Sequence, residues 1–179
     1  VSATAAFFLG RLGDTYALRY LKQLMKFKQT RFAAAESALQ LNLAPARDYL
    51  YGLATKAKRP GDRVRAAYAL ARAGDNKVTP MLLKALNDGT ARYTAALGLA
   101  ALGKREAIPV LNQAVKHISL RIEAARELAH LGDYDSLKSL HAKMGSDFEP
   151  QRLTAASAIY ILSSRKLSSD STTAESDMT

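Results

Sequence analysis

Asp133 and Asp135 flank Tyr134, and a carboxylate pair at that spacing could do acid–base work. Gly98 to Arg105 reads Gly-Leu-Ala-Ala-Leu-Gly-Lys-Arg, the outline of the phosphate-binding loop G-x-x-x-x-G-K-[ST]. Arg63, Arg92, Arg121 and Arg152 recur as a ladder of cations that could hold phosphates. His117, His130 and His141 are the imidazoles available for metal or proton chemistry. Each has a structural competitor. Asp133 stands where Asp14 and Asp75 stand in matching segments, directly after the glycine that ends the preceding helix, which makes it a helix N-cap. The phosphate-loop outline lacks its final hydroxyl, and it sits where a helix is expected to end in a glycine cap rather than after a strand. None of the histidines has a ligand spacing such as H-E-x-x-H. No G-x-S-x-G elbow is present. The sequence therefore points to no catalytic residue, no metal and no cofactor.

The elements that would position these groups read as helices. Alanine, the strongest helix former, occurs 33 times in 179 residues, against only 5 Pro, 10 Gly and no Trp. Small alanine side chains also let helices approach closely. With no cysteine, disulfides, thiol catalysis and Cys-based zinc sites are excluded. The longest apolar stretch, Ala95 to Gly103, is about half the ~18 residues a membrane span needs.

A frame of about 29 residues organises the helices. Arg63-x-x-Ala66-Ala67-x-x-Leu70 leads to Gly74-Asp75, and Arg92-x-x-Ala95-Ala96-x-x-Leu99 leads to Leu102-Gly103. Arg121-x-x-Ala124-Ala125-x-x-Leu128 leads to Leu131-Gly132-Asp133. Looser copies stand at Ala5-Ala6-x-x-Leu9, at Arg31 with Ala34-Ala35 and Leu39, and at Arg152 with Ala155-Ala156. The Ala and Leu positions fall three to four residues apart, so they form one helix face. Gly supplies a left-handed C-cap, and the following Asp caps a second amphipathic helix. Polar joints at Pro60-Gly61-Asp62, Asn87-Asp88-Gly89 and Gly145 through Pro150 separate the units. One hairpin cannot hide its own apolar face; stacked neighbours can.

The frame resembles HEAT-like repeats of the phycobilisome-lyase type, a short class rich in Ala and Leu-Gly-Asp. The expected fold is all-α, an α-solenoid (superhelix) of about five to six stacked HEAT-like helical hairpins. Repeats are expected at roughly 1–29, 30–61, 62–90, 91–119 and 120–150, with a partial copy at 151–163 and a polar, weakly held tail at 164–179. The second repeat departs from the frame, with Asn42-Leu43-Ala44-Pro45 in place of Leu-Gly-Asp. The resemblance also implies that the frame arginines pair with the acids just before them, Asp62, Asp88 and Asp147, in a structural Asp–Arg ladder.

By the same resemblance, the helix after Gly-Asp lines the concave surface, and its outward residues are the partner-binding candidates. They are Tyr16, Arg19, Tyr20 and Gln23, then Arg47 and Tyr51, then Lys77 and Lys84. Arg105 and Asn112 follow in the fourth repeat, and Lys138 and His141 in the fifth. Tyr together with Arg is the composition of an interface hot spot. The expected function is a non-catalytic scaffold or adaptor for a protein or peptide, possibly acidic given the net charge of +10. Nucleic-acid binding through the basic surface and bilin lyase-type chromophore attachment are the alternatives. The chain opens at Val1, within an expected helix and with no cap before it, so a fragment or processed product of a larger chain or complex is expected. No signal peptide is visible; the compartment stays open, with the cytoplasm favoured.

Overall fold

The computed structural model describes residues 3–12, 14–89, 91–117, 119–133, 156 and 160. Among the described residues there are nine α-helices and no strand. They are α1 (Ala3–Arg11), α2 (Thr15–Leu24), α3 (Arg31–Gln40), α4 (Ala44–Lys56), α5 (Pro60–Arg72), α6 (Thr79–Ala85), α7 (Arg92–Ala101), α8 (Ile108–Ala114) and α9 (Arg121–His130). One 3-10 turn leads into α6 and another into α8. The fold is an all-α repeat of helical hairpins, of the α-solenoid class. The chain forms two compact units, Val1–Gly98 and Leu99–Thr179, with the division inside α7.

In Val1–Gly98, α1 packs on α2 and α3, α2 packs on α3, and then α3 on α4, α4 on α5 and α5 on α6. In Leu99–Thr179, α8 packs on α9. The second, third and fourth hairpins contribute the same core elements, and α2 and α9 supply theirs singly. The first helix of a hairpin supplies a fully buried leucine (Leu39, Leu70, Leu99 or Leu128), and the second supplies Leu21, Leu50, Leu82 or Leu111. The Ala pairs 34/35, 66/67, 95/96 and 124/125 are buried beside them. Each leucine contributes about 1.5–3 kcal/mol by leaving water. The small alanines bring the backbones close enough for that burial to be continuous.

The first helix ends the same way each time. Gly74, Gly103 and Gly132 take φ of 78°, 70° and 68°. The next amide reaches back five residues, as Asp75 N to Leu70 O at 3.1 Å, Lys104 N to Leu99 O at 2.9 Å and Asp133 N to Leu128 O at 3.0 Å. This pairing satisfies carbonyls the helix would otherwise leave open. The second repeat, irregular in sequence, is regular in structure. Asn42 takes the left-handed position at φ 59°, and Leu43 N bonds Ala38 O at 3.0 Å. Asn is the residue after Gly best able to do this, because its short amide tolerates that backbone region.

Gly98 marks a close approach. A Cβ there would lie 3.0 and 3.3 Å from the Leu82 methyls and 3.4 Å from the Tyr68 Cα. Gly98→Ala is expected to be near neutral, because about 1 kcal/mol of helix propensity offsets a small shift of Leu82. Gly98→Val has no such room and is expected to cost about 1–3 kcal/mol by overpacking. Urea denaturation of the two variants measures the difference.

Arg63 does not build the expected ladder pair with Asp62, and Arg31 of the looser copy makes contacts of the same kind as Arg63. Arg31 donates from Nε to Met25 O at 2.7 Å and from Nη2 to Lys26 O at 3.0 Å. Arg63 donates to Ala57 O at 2.9 Å and Lys58 O at 3.4 Å. Each guanidinium therefore ties down carbonyls at the end of the preceding hairpin, where a cation also meets the negative end of the helix dipole. Arg92 lies 5.1 Å over the Tyr93 ring. The side chain of Arg121, all of Arg152 and Asp147, and the tail lie outside the described residues.

Candidate functional site

The outer face of the first hairpin carries a groove of about 340 Å³ lined by Ala6 and Leu9 of α1, Asp14 of the turn, and Tyr16, Ala17, Arg19, Tyr20 and Gln23 of α2. The four α2 residues expected from the sequence, Tyr16, Arg19, Tyr20 and Gln23, fall at i, i+3, i+4 and i+7. They share one helix face, while Leu21 turns away into the core. The Asp14 carboxylate caps α2, accepting from Tyr16 N at 2.8 Å and Ala17 N at 3.3 Å, which fixes where the face begins. The Arg19 guanidinium lies 5.7 Å from the centre of the Tyr16 ring, within cation–π range. Tyr16 is 76% exposed, and Leu9 on the α1 wall is 42% exposed; Phe8 of α1 and Leu12 just past its end are 58% and 84% exposed without lining the groove. The sequence reading found the α2 half of this surface and missed the α1 half, because Ala6 and Leu9 fit the apolar frame that elsewhere is buried.

Arg47 and Tyr51, expected on the same outward face, belong instead to a different constellation. Arg47 Nη1 donates to Asp75 Oδ2 at 2.8 Å, joining the second hairpin to the third. Asp75 Oδ1 accepts from Lys77 N at 3.1 Å and so caps the turn before α6. The Tyr51 hydroxyl is buried and approaches the same carboxylate short of full hydrogen-bond geometry. Burial, then the Asp75 carboxylate, push the Tyr51 hydroxyl up to about 12. Burial opposes ionisation of Asp75 too, but Tyr51, the Lys77 amide and Arg47 together hold its carboxyl below the usual range. Arg47 keeps 39% of its side chain exposed, whereas Asp75 keeps 8%.

The other expected residues are dispersed. Lys77 and Lys84 are exposed. Lys84 lines a shallow groove of about 490 Å³ with Pro60, Arg63, Val64, Pro80, Met81, Ala85 and Asp88. In Leu99–Thr179, Asn112 is exposed and Arg105 Nη1 donates to Leu131 O at 3.4 Å. Lys138 and His141 lie outside the described residues, as do Tyr134 and Asp135. Asp133 is described, but the residues it would cap are not. His117 and His130 are exposed. Among the described residues no group of three or more His, Asp or Glu could hold a metal ion, and no helix is long and apolar enough to cross a membrane. The phosphate-loop outline at Gly98–Arg105 is the end of α7 and its glycine cap.

A family model described as PBS lyase HEAT-like repeat matches residues 62–88, which hold α5 and α6, and again residues 91–117, which hold α7 and α8. The chain carries HEAT-like repeats. A search of curated proteins gives no match. The groove on α1 and α2 and the Arg47 end of the clamp lie outside the matched segments, and Asp75 lies inside them.

Proposed function

We propose that this HEAT-like repeat protein is a non-catalytic interaction scaffold that holds a segment of a partner protein in the groove between α1 and α2. The observation that carries this reading is the row Tyr16, Arg19, Tyr20 and Gln23 lining a groove whose α1 wall carries the exposed Leu9. A contiguous apolar surface with a polar rim marks an interaction site, and Tyr and Arg are the residues in which binding energy concentrates. The groove offers rings and methyls for apolar side chains and the Arg19 guanidinium for a carboxylate. The segment it suits is therefore amphipathic and acidic, in keeping with the +10 charge of the chain.

The test begins with affinity capture that returns one stoichiometric protein, followed by titration calorimetry with that protein. Tyr16→Ala combined with Arg19→Ala is expected to weaken binding by about 30-fold or more, while Lys77→Ala leaves it unchanged. Both α2 side chains are exposed, so helix content and melting should not move. Undiminished binding by the double variant would remove the groove from the account.

A further inference from the structure

Within Val1–Gly98, the exposed cations that are scattered along the sequence gather at one end of the hairpins. Short connections make consecutive helices antiparallel, so the α2–α3 and α4–α5 connections lie at the same end. Two contacts confirm that α3 and α5 run side by side in the same direction. Arg65 lies 4.2 Å over the ring of Phe32, and further along both helices Arg72 pairs with Glu36 at 3.7 Å. At that end stand Lys26 and Lys28 in one connection and Lys58 and Arg59 in the next, all exposed and none in an ion pair among the described residues. A lysine in the last turn of α2, α4 or α6 is explained by the helix dipole. The four in the connections lie beyond the helices, and the adjoining exposed acid is Asp62 alone.

Between Lys26 and Lys28 stands Phe27, 60% exposed. It is not there because the connection is loose. Thr30 Oγ1 bonds Leu24 O at 2.8 Å, Arg31 bonds Met25 O and Lys26 O, and Arg31 N bonds Phe27 O at 2.9 Å. The ring is thus presented to solvent by a pinned backbone between two ammonium groups. We infer that this end of the unit binds single-stranded nucleic acid, with Lys26, Lys28, Lys58 and Arg59 on phosphates and Phe27 under a base. Neighbouring helices lie roughly 8–10 Å apart, a distance spanned by about three stacked nucleotides at ~3.4 Å each. A ring flanked by cations is the combination by which single strands are held without sequence readout. An anionic membrane would draw on apolar side chains from both connections, and the second offers only half-buried Ala57 between Lys56 and Lys58.

Fluorescence anisotropy with a labelled oligo-uridylate of about 20 nucleotides tests this on the whole chain. Four phosphate contacts are expected to give a log–log salt slope of about −3. Lys28→Glu with Lys58→Glu should weaken binding at least tenfold and roughly halve the slope. Lys77→Glu with Lys104→Glu, the same charge change in the turns inside two hairpins, should cost less than threefold. Phe27→Ala should weaken the single strand about fivefold or more and a duplex of equal length much less. The proposal is overturned by no binding at low salt, by equal losses in the two charge-reversed pairs, or by an unaffected Phe27→Ala. It is equally overturned if phosphatidylserine vesicles bind while the oligonucleotide does not.

Discussion

Replacing Asp75 with alanine is expected to lower stability by about 2–4 kcal/mol, seen as a fall in the urea midpoint at unchanged slope. The carboxylate does two jobs at once. It caps the turn into α6 through Lys77 N, and it receives Arg47 from the neighbouring hairpin. Loss of the cap accounts for about 1 kcal/mol. Loss of a charge-assisted bond accounts for about 1.5–3 kcal/mol, held toward the lower figure because Arg47 is 39% exposed and can turn to water. Asp75→Asn keeps an oxygen for the cap and should recover about half of the loss. Arg47→Ala leaves the carboxylate with less compensation, so a double-mutant cycle between the two should show a coupling of about 1 kcal/mol or more. Additive effects would mean that the 2.8 Å pair contributes nothing.

The same constellation sets a pH window. The Asp75 carboxyl is lowered in the folded protein. Its contribution is therefore present above the unfolded value, about 3.9, and disappears as pH falls through the folded value. Tyr51 is raised to about 12. Its contribution is complete below about 10, the unfolded value, and is lost as pH rises toward 12. Asp75→Ala should flatten the acid limb of the stability profile, and Tyr51→Phe part of the alkaline limb.

Leu70→Ala is expected to cost about 2–5 kcal/mol, lowering the melting temperature on the order of 10 °C. Leu70 is wholly buried on α5, which packs on both α4 and α6. Four of the other five buried residues of α5 are alanines, with no longer side chain to swing into the hole, so the cavity should persist. Leu12→Ala provides the contrast. Leu12 occupies the equivalent apolar stripe of the first hairpin but is 84% exposed, and its loss should stay within about 0.5 kcal/mol. If Leu12→Ala proved as costly as Leu70→Ala, Leu12 would be part of the core rather than of the surface.

The contrast between Leu70 and Leu12 also shows where legibility in the sequence ends. Both satisfy the same helical period, and period alone says that a face is apolar, not that a neighbour covers it. Asn42 marks another boundary. The frame made it an irregularity, although its chemistry allows the left-handed cap it adopts, and the five-residue reach of Leu43 N shows it acting as Gly does elsewhere. The arginines at 31 and 63 were visible as a set, yet their partners were carbonyls of their own connections and not the adjacent acids.

From the residues alone came the all-helical hairpin frame, the buried leucines and alanine pairs, the glycine ends of the first helices and the Asp14 and Asp75 caps. These follow from interactions within one helix or one turn, where spacing of three, four or five residues settles who meets whom. The tertiary structure decided that Arg47 reaches Asp75, that Tyr51 turns inward, and that Phe8, Leu9 and Leu12 stay in solvent. It also brought Lys26 and Lys28 to the same end as Lys58 and Arg59. Those outcomes depend on how one hairpin is rotated and shifted against the next, a quantity set by side-chain interdigitation across the stack and not encoded in the period of either hairpin.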